Sequence, residues 1–246
     1  MTVRPDIDAL LAGTRLFKAL DTQARAAVAQ EMKEARYSAG QSIFGRGEPG
    51  NELYMVLEGR VRLSVLTSEG RELSFTHAVP GDVFGEIAAL DGSPRSADAT
   101  ALTDVRMKSL SSAALQRLLS AHPALAKSVI DFLCVRLRAV SDHLEDIALF
   151  AVEARLARFL LHELSMRPRG PDGDAARVVL GMSQGELALL IGASRPKVNA
   201  ALMTLESAGA ITRVGNEIAC DRGLLEELAA AVASSHHSRI PTISHC

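Results

Sequence analysis

The spacing of hydrophobic residues changes twice along the chain. From Asp6 to about Lys33 they recur every three or four residues, which predicts short amphipathic helices. Between Ala35 and Leu110 apolar and polar residues alternate and glycines interrupt them, which predicts short strands joined by tight turns. From Ser111 onward the helical spacing returns. The pattern predicts an α+β chain with a small antiparallel barrel or roll near its N-terminus.

Two predicted strands are especially well defined. Residues 53–57 and 61–65 are mostly apolar and flank Glu58-Gly59-Arg60, so we expect them to pair as a β-hairpin. Small barrels of this kind commonly enclose or rim a small ligand. The roll is therefore the first place to look for a binding site.

A long helix is predicted after Pro123, reaching about Phe150. Its apolar residues step by three and four over three heptads, the pattern of a coiled-coil seam. The seam consists of Ile130, Leu133, Leu137, Val140, Leu144 and Ile147. Periodicity alone leaves two interpretations open: the stripe pairs with a second copy of the chain, or it packs on the chain's own barrel.

The C-terminal part contains a compact two-helix motif. Ser183-Gln184-Gly185-Glu186 is a capping box that begins one helix, and Ser194 caps a second helix after a turn that contains Gly192. Pro196 falls in the first turn, where its missing N–H is tolerated. Residues 211–219 predict a hairpin. Together these elements predict a winged helix-turn-helix.

The most specific chemistry lies in residues 84–97. Glu86 and Arg95 stand nine residues apart around a short helical turn that glycines flank. Gly85 lets the backbone approach a ligand closely. The first backbone N–H groups of the turn can bind an anion, and the guanidinium of Arg95 can donate two hydrogen bonds to the same anion. Glu86 is suited to accept hydrogen bonds from sugar hydroxyls. The alternative is an ordinary surface ion pair, which is what most Glu and Arg residues form.

This stretch resembles the phosphate-binding cassette of the cyclic-nucleotide-binding domain. The spacing of the helix-turn-helix residues resembles the DNA-binding domain of the Crp/Fnr family of bacterial regulators; these residues are Glu186, Ala188, Gly192, Ser194, Arg195 and Val198. Both motifs occur in the expected order, over about residues 14–230. The resemblance implies an N-terminal β-roll of the jelly-roll type, followed by a long dimerisation helix and a winged helix-turn-helix. It also implies the function of a transcription regulator, in which cAMP reorients the helix-turn-helix units of a homodimer for operator binding.

The resemblance also implies roles for individual residues. The cyclic ribose phosphate would be held by Gly85, Glu86, Ile87, Ala88, Arg95 and Ser96, and the base by Leu63, Phe75 and Thr76, with Val140 and Ser141 from the long helix. Val140 stands where cAMP-responsive members carry threonine. cGMP therefore stays open as an alternative to cAMP, and no metal is implied.

The DNA contacts are implied in the same way, for Ser183, Gln184, Ser194, Arg195, Lys197, Asn199 and Arg213. Arg195 is a candidate for a bidentate contact with guanine in the major groove. Pro196 and Ala200 replace charged base readers of the family, so we expect a different operator sequence. Residues 151–246 contain ten basic and ten acidic residues, so phosphate attraction depends on where the cations lie.

The expected organisation has four parts. Residues 1–123 form the ligand-binding domain, 124–151 the dimerisation helix and linker, 152–233 the DNA-binding domain, and 234–246 a disordered tail. By family analogy the loop at 168–174 is a candidate contact for RNA polymerase. The alternative function is a cyclic-nucleotide-binding module whose helix-turn-helix does not bind DNA specifically.

Composition excludes several other classes of protein function. A net charge of −2 and 4% aromatic residues disfavour generic nucleic-acid attraction and base stacking as the main activity. We expect a cytoplasmic protein with no membrane segment, because no secretory pattern or run of roughly 18 apolar residues occurs. Three scattered cysteines predict free thiols rather than a disulfide framework or an iron–sulfur cluster. His77 is better explained as a strand residue than as a haem ligand, and no motif indicates an enzyme.

Overall fold

A computed structural model describes residues 7–66, 72–165, 175–180, 182–214 and 217–230. The chain divides into two compact units, Met1–Val140 and Ser141–Cys246. The predicted polymerase-contacting loop at 168–174 and the predicted tail at 234–246 lie outside the described residues.

The first unit carries most of the strands. In chain order its elements are α1 (Ile7–Gly13), α2 (Thr22–Glu31), β1 (Lys33–Tyr37), β2 (Ser42–Phe44), β3 (Glu52–Glu58), β4 (Val61–Leu66), β5 (Glu72–Ala78), β6 (Val83–Phe84), α3 (Glu86–Asp91), β7 (Asp98–Ala101), β8 (Val105–Ser111), α4 (Ser112–Ala121) and α5 (Pro123–Leu149). The division between the units falls within α5.

The strands form two antiparallel four-stranded sheets, ordered β1-β8-β3-β6 and β2-β7-β4-β5. Side chains from both sheets share one apolar cluster, which includes Val56 and Met107 from the first sheet and Val61 and Ala99 from the second. Sheet faces that bury their apolar side chains against each other are typical of a roll or sandwich. The predicted β-roll is confirmed.

The predicted hairpin of residues 53–57 and 61–65 is wrong. β3 pairs with β8 and β6, whereas β4 pairs with β5 and β7 in the other sheet. The chain passes between the sheets at Gly59, where φ is +86° and a Cβ would lie 2.3 Å from the carbonyl oxygen of Asp104. Alternation identifies strands, but it does not identify their partners.

Helix α5 has two different faces. Leu125, Val129 and Phe132 are buried in a cluster formed with α1, α2 and α4, and Leu133 packs partly against it. Four members of the predicted seam are exposed by 59–67%, namely Ile130, Leu137, Val140 and Leu144. Intramolecular packing therefore accounts for one face of α5 and not for these four seam residues.

The second unit is a winged helix-turn-helix, as predicted. It contains α6 (Val152–Ser165), β9 (Ala175–Val179), α7 (Gln184–Ile191), α8 (Arg195–Ser207), β10 (Ile211–Val214), β11 (Glu217–Asp221) and α9 (Arg222–Ala229). Its strands form one antiparallel sheet in the order β10-β11-β9. Its core is a separate cluster that includes Leu160, Leu187, Leu202 and Leu225.

Two further predictions concern cysteines and membranes. Cys134 is exposed and Cys220 is buried, and both are free thiols; Cys246 lies outside the described residues. Within the described ranges no single helix has the length and apolar composition to cross a membrane. Among the described helices, the sharply bent pair α4 and α5 alone meets that test, by length and composition.

Candidate functional site

The cassette opens where the short strand β6 ends. Gly85 adopts the left-handed conformation, with φ of 75°, and α3 begins at Glu86. Glu86 and Arg95 are each only 5% exposed. Neither side chain lies at the surface, and among the described residues no ion pair joins Glu86 to Arg95, so an ordinary surface ion pair does not account for them.

Arg95 is a buried cation with fixed contacts. Its Nη1 donates to the carbonyl oxygens of Glu52 at 2.7 Å and Gly85 at 2.9 Å. The guanidinium carbon lies 4.1 Å from the ring centre of Phe44 and 5.8 Å from that of Tyr54, within cation–π range. Burial lowers the pKa of Arg95, although Tyr54, Glu52 and other acidic groups act in the opposite direction.

One polar group of Arg95 has no acceptor. Within the described part of the chain its Nε is buried and makes no hydrogen bond. Buried N–H groups nearly always have a partner, so this Nε can donate to an anion that enters the cassette. The amides at the start of α3, at Glu86, Ile87 and Ala88, also lack partners within the helix. The cassette thus combines a buried cation with amides that lack partners within the helix, a donor set that suits a phosphate.

Glycines allow the chain to close around this arginine. A Cβ at Gly85 would lie 2.7 Å from Nη1 of Arg95, and a Cβ at Gly50 would lie 2.6 Å from the Cβ of Ala88 and 2.7 Å from Nε of Arg95. The loop that contains Gly50 is tied to the cassette by backbone hydrogen bonds, from Gly47 N to Arg95 O and from Arg95 N to Glu48 O. A side chain at Gly50 or Gly85 would displace the guanidinium.

Arg136 on α5 joins the site, which the sequence did not predict. Its Nε lies 3.7 Å from Oε1 of Glu86, and its Nη2 donates to the carbonyl oxygen of Val83. The ring of Phe132 lies 5.3 Å away, one helical turn earlier. A basic residue one turn before Val140 was the available signal, because residues i and i+4 share a helix face. Glu86 thus contacts a cation from α5 as well as opening α3.

The other predicted ligand residues lie in varied environments. Ala88 is buried, Ile87 is 45% exposed and Ser96 is exposed. For the base, Leu63 and Thr76 are direct cross-strand partners on β4 and β5, and Leu63 shares the apolar cluster of Phe44 and Phe84. Phe75 is 42% exposed at an irregularity in this pairing. Val140 and Ser141 are exposed at the division between the units. Their contact with a base stays a prediction.

Helix α8 presents the predicted DNA-reading residues. Val198, Ala201, Leu202 and Leu205 form its buried face. Arg195, Lys197 and Asn199 are exposed, and none of the ion pairs found among the described residues involves Arg195 or Lys197. Two cations in this state are available to an external polyanion.

The wing cation is in a different state. Arg213 on β10 donates from Nε and Nη2 to the two carboxylate oxygens of Glu206 on α8, at 2.7 and 2.6 Å. This hydrogen bonding raises the pKa of Arg213 and lowers that of Glu206. A predicted phosphate contact by Arg213 would have to use its remaining nitrogen or open this pair.

The turn between α7 and α8 is held from inside the second unit. Gly192 ends α7 with φ of 66°, and Nη1 of Arg155 donates to the carbonyl oxygens of Ile191 at 2.9 Å and Gly192 at 3.2 Å. A Cβ at Gly192 would lie 3.1 Å from the side chain of Ile147, so this seam residue packs against the turn. These contacts fix the direction in which α8 leaves α7.

Of the two serines predicted to cap helices, Ser183 caps α7 with its side chain and Ser194 does not cap α8 in this way among the described contacts. Ser183 and Glu186 form the predicted capping box, with hydrogen bonds of 3.2 and 2.6 Å. Ser194 occupies the cap position of α8, but its side chain makes no capping hydrogen bond. Contacts of Ser183, Gln184 and Ser194 with DNA stay predictions.

Two family models match the chain, one on each unit. The cyclic nucleotide-binding domain matches residues 34–122, and the Crp-like helix-turn-helix domain matches residues 154–228. The first match contains the cassette, and the second contains α7 and α8.

Relatives match over most of their length. The chain is 33% identical over 212 residues to a protein of Mycobacterium tuberculosis named CRP-like cAMP-activated global transcriptional regulator, covering 86% of this chain and 94% of that protein. It is 31% identical to the cyclic AMP receptor protein of Thermus thermophilus, covering 80% and 88%. Among solved structures, FixK2 from Bradyrhizobium japonicum superimposes with a TM-score of 0.71 at 26% identity, over 82% of this chain and 99% of that one.

Proposed function

Because the chain belongs to the family of CRP-like transcriptional regulators, we propose that it is a DNA-binding regulator whose β-roll binds a cyclic nucleotide, cAMP, and that binding changes its affinity for an operator. The buried guanidinium of Arg95, with an Nε that lacks an acceptor, carries the ligand half of this proposal. Members of this family regulate transcription and are not enzymes.

In the bound state each cassette group has one task. Arg95 and the amides of Ile87 and Ala88 hold the cyclic phosphate, which is charged and therefore favoured beside a desolvated cation. Ser96 adds a hydroxyl donor at the exposed rim. Glu86 accepts the ribose 2′-hydroxyl while Arg136 orients its carboxylate. The base lies against Leu63, Phe75 and Thr76, where an apolar surface and one hydroxyl are available.

We propose adenine as the base, and therefore cAMP as the ligand, because two relatives are named as cAMP-activated or cyclic AMP receptor proteins. Val140 has no hydrogen-bonding side chain, so within the first unit the hydroxyl of Thr76 is left to discriminate between the bases, and Ser141 keeps the role that the resemblance implies. Calorimetric titration with cAMP and cGMP tests this choice. Tighter binding of cGMP would reverse it while leaving the phosphate site intact.

The regulator acts as a homodimer through α5. Ile130, Leu137, Val140 and Leu144 are large apolar residues exposed on one stripe of that helix, and a second copy of the same stripe would cover them. Leu137→Glu should give a monomer by light scattering. Ala139→Glu, an exposed position on another face of α5, should leave the dimer intact; a wild-type monomer would refute the assignment.

The DNA half rests on α8. In a dimer two α8 helices would enter successive major grooves, with Arg195 contacting bases and Lys197 contacting phosphate. Such a protein acts in the cytoplasm, on double-stranded operator DNA. Selection from a pool of duplexes with a randomised centre, with and without cAMP, tests this half. We expect enrichment of a two-fold symmetric sequence, stronger with cAMP.

The second candidate is a cyclic-nucleotide-binding module whose helix-turn-helix does not bind DNA specifically. The observation that favours it is the pairing of Arg213 with Glu206, which removes a wing cation from the DNA-binding surface. Tight binding of cAMP together with no enrichment of any duplex would favour this candidate.

A further inference from the structure

The outward face of α8 carries no charge along its central line. Pro196, Ala200 and Met203 are all exposed, Met203 by 57%. They follow a spacing of four and three residues, so they lie on one stripe of the helix. We call these three residues the outer stripe.

The outer stripe lies opposite the buried face of the helix. The buried residues Val198, Ala201, Leu202 and Leu205 repeat with the same helical spacing, and a helix turns by about 100° per residue, which places Pro196, Ala200 and Met203 on the far side. Arg195 and Asn199 flank the stripe on one side, and Lys197 and Thr204 flank it on the other. The residues that project farthest from the unit are therefore apolar, and polar residues border them.

A face of this composition is unusual for contact with water or phosphate. A methionine side chain exposed by more than half gains nothing from a phosphate. The major groove, however, contains one apolar group on a base edge, the C5-methyl group of thymine, which apolar side chains contact. The cations on both flanks of the stripe favour DNA as its occupant over an apolar protein surface.

We propose that Pro196, Ala200 and Met203 determine operator specificity by contacting thymine methyl groups, beside the guanine that Arg195 reads. The inference rests on the proposed DNA-binding function and deepens it. The operator half-site accordingly contains thymines next to a guanine, at positions that face the outer stripe. Pro196 lies in the first turn of α8, Ala200 contributes a methyl contact about one turn further along, and Met203 contributes a longer side chain about one turn beyond that.

The test separates the methyl group from every other feature of thymine. Full-length protein with cAMP is used to select duplexes from a randomised pool, and each thymine of the enriched sequence is then replaced singly by deoxyuridine, which lacks only the C5-methyl. Removing one methyl-sized contact should weaken binding about fourfold at the thymines that face the stripe. Deoxyuridine outside the enriched sequence should have no effect.

Variants assign the contact to residues. In Ala200→Ser and Met203→Gln, the difference between thymine and deoxyuridine should disappear at one position each, because the apolar surface is lost. Thr204→Ser also removes a methyl group from an exposed position on α8, but from the flank, and it should keep the full difference. Thermal unfolding checks that each variant folds.

The outcomes separate a failure of the proposed DNA-binding function from a failure of the proposed contact with thymine methyl groups. Absence of any enriched duplex would overturn the proposed DNA-binding function and this inference with it. Enrichment of a sequence that binds equally well with deoxyuridine at every position would leave the function standing and overturn the inference. Equal deoxyuridine effects in wild type, Ala200→Ser and Met203→Gln would also overturn it.

Discussion

The two binding surfaces of this chain hold their cations in opposite ways. In the first unit Arg95 is 5% exposed, donates to two carbonyl oxygens and contacts two aromatic rings. In the second unit Arg195 and Lys197 are exposed on α8. The first arrangement is organised before the ligand arrives, whereas the second is left to be organised by its partner.

The difference follows from the size of each partner. A cyclic phosphate carries one charge and is small enough to be surrounded, so a desolvated, pre-positioned cation stabilises it without further ordering cost. Duplex DNA carries charge along its whole length, and its release of counterions favours exposed cations. A burial pattern can therefore indicate which kind of anion a basic residue serves.

The largest effect should come from removing the buried cation. Arg95→Gln should weaken cAMP binding by about 30-fold to 5000-fold, which corresponds to the roughly 2–5 kcal/mol lost on truncating one partner of a buried charge pair. Arg46→Gln removes a charge from an exposed position in the same unit and should change the Kd little. Isothermal titration calorimetry measures both.

Folding must be checked for Arg95→Gln, because Nη1 also anchors Glu52 and Gly85. Arg95→Lys keeps the charge but cannot reproduce the fork geometry, and it should still bind cAMP weakly. Similar affinities for Arg95→Gln, Arg46→Gln and wild type would show that the phosphate is attracted by the general field of the unit rather than by one buried group.

The next largest effect concerns the exposed cations of α8. Arg195→Ala should reduce discrimination at one base pair of the operator half-site by about 1–3 kcal/mol, or roughly 5-fold to 150-fold. Lys197→Ala should weaken binding to all sequences similarly and lower the salt slope by about one. Fluorescence anisotropy with matched and mismatched duplexes at several salt concentrations measures both; the reverse behaviour would exchange the two roles.

The sequence predicted the local half of each site. Gly85, Glu86 and Arg95 belong to one continuous stretch, and the capping box at Ser183 spans four residues, so their geometry depends mainly on neighbours in the chain. Arg136 reaches Glu86 from α5, 50 residues away. That contact depends on how the helix packs against the roll, which no local pattern encodes.

Two other results could not be predicted for related reasons. The hairpin at Gly59 failed because alternation is the same whether the next strand pairs with its neighbour or enters the opposite sheet. The pairing of Arg213 with Glu206 depends on the angle between β10 and α8. In both cases tertiary arrangement decided between options that the sequence left equal.

A third effect tests what Glu86 contributes beside Arg95. Because a hydrogen bond to a charged acceptor is worth about 1.5–3 kcal/mol, wild-type protein should bind 2′-deoxy-cAMP at least about tenfold more weakly than cAMP. Glu86→Gln should shrink this difference, since its side chain is no longer a charged acceptor. Glu48→Gln, on the exposed loop next to the cassette, should preserve it. If Glu86→Gln still bound 2′-deoxy-cAMP and cAMP with the same difference in affinity as wild type, Glu86 would not be the group that accepts the ribose hydroxyl.

The smallest effect should come from Arg213 in the wing. This cation is neither buried like Arg95 nor exposed like Arg195, because it is partly exposed and paired with Glu206. Arg213 is held by Glu206, and this contact lowers the pKa of Glu206. Because its pKa is lowered, the carboxyl group of Glu206 is ionised and paired at any pH above the ordinary carboxyl pKa. It is protonated, and the pair is lost, only as the pH falls through the lowered pKa. The pair should therefore persist at every pH at which DNA binding is normally measured. Glu206→Gln should raise affinity for all duplexes severalfold and increase the salt slope by about one, because Arg213 becomes available to phosphate.

Glu226→Gln on α9 makes the same change in net charge at another exposed position, and it separates this release of Arg213 from a general charge effect. Anisotropy titrations of both variants between pH 6 and 8 should show a larger and pH-independent gain for Glu206→Gln. A loss of affinity in Glu206→Gln would mean instead that the pair holds the wing in its DNA-binding position, and Arg213 would then belong with Arg95, as a cation whose orientation is fixed before the anion arrives.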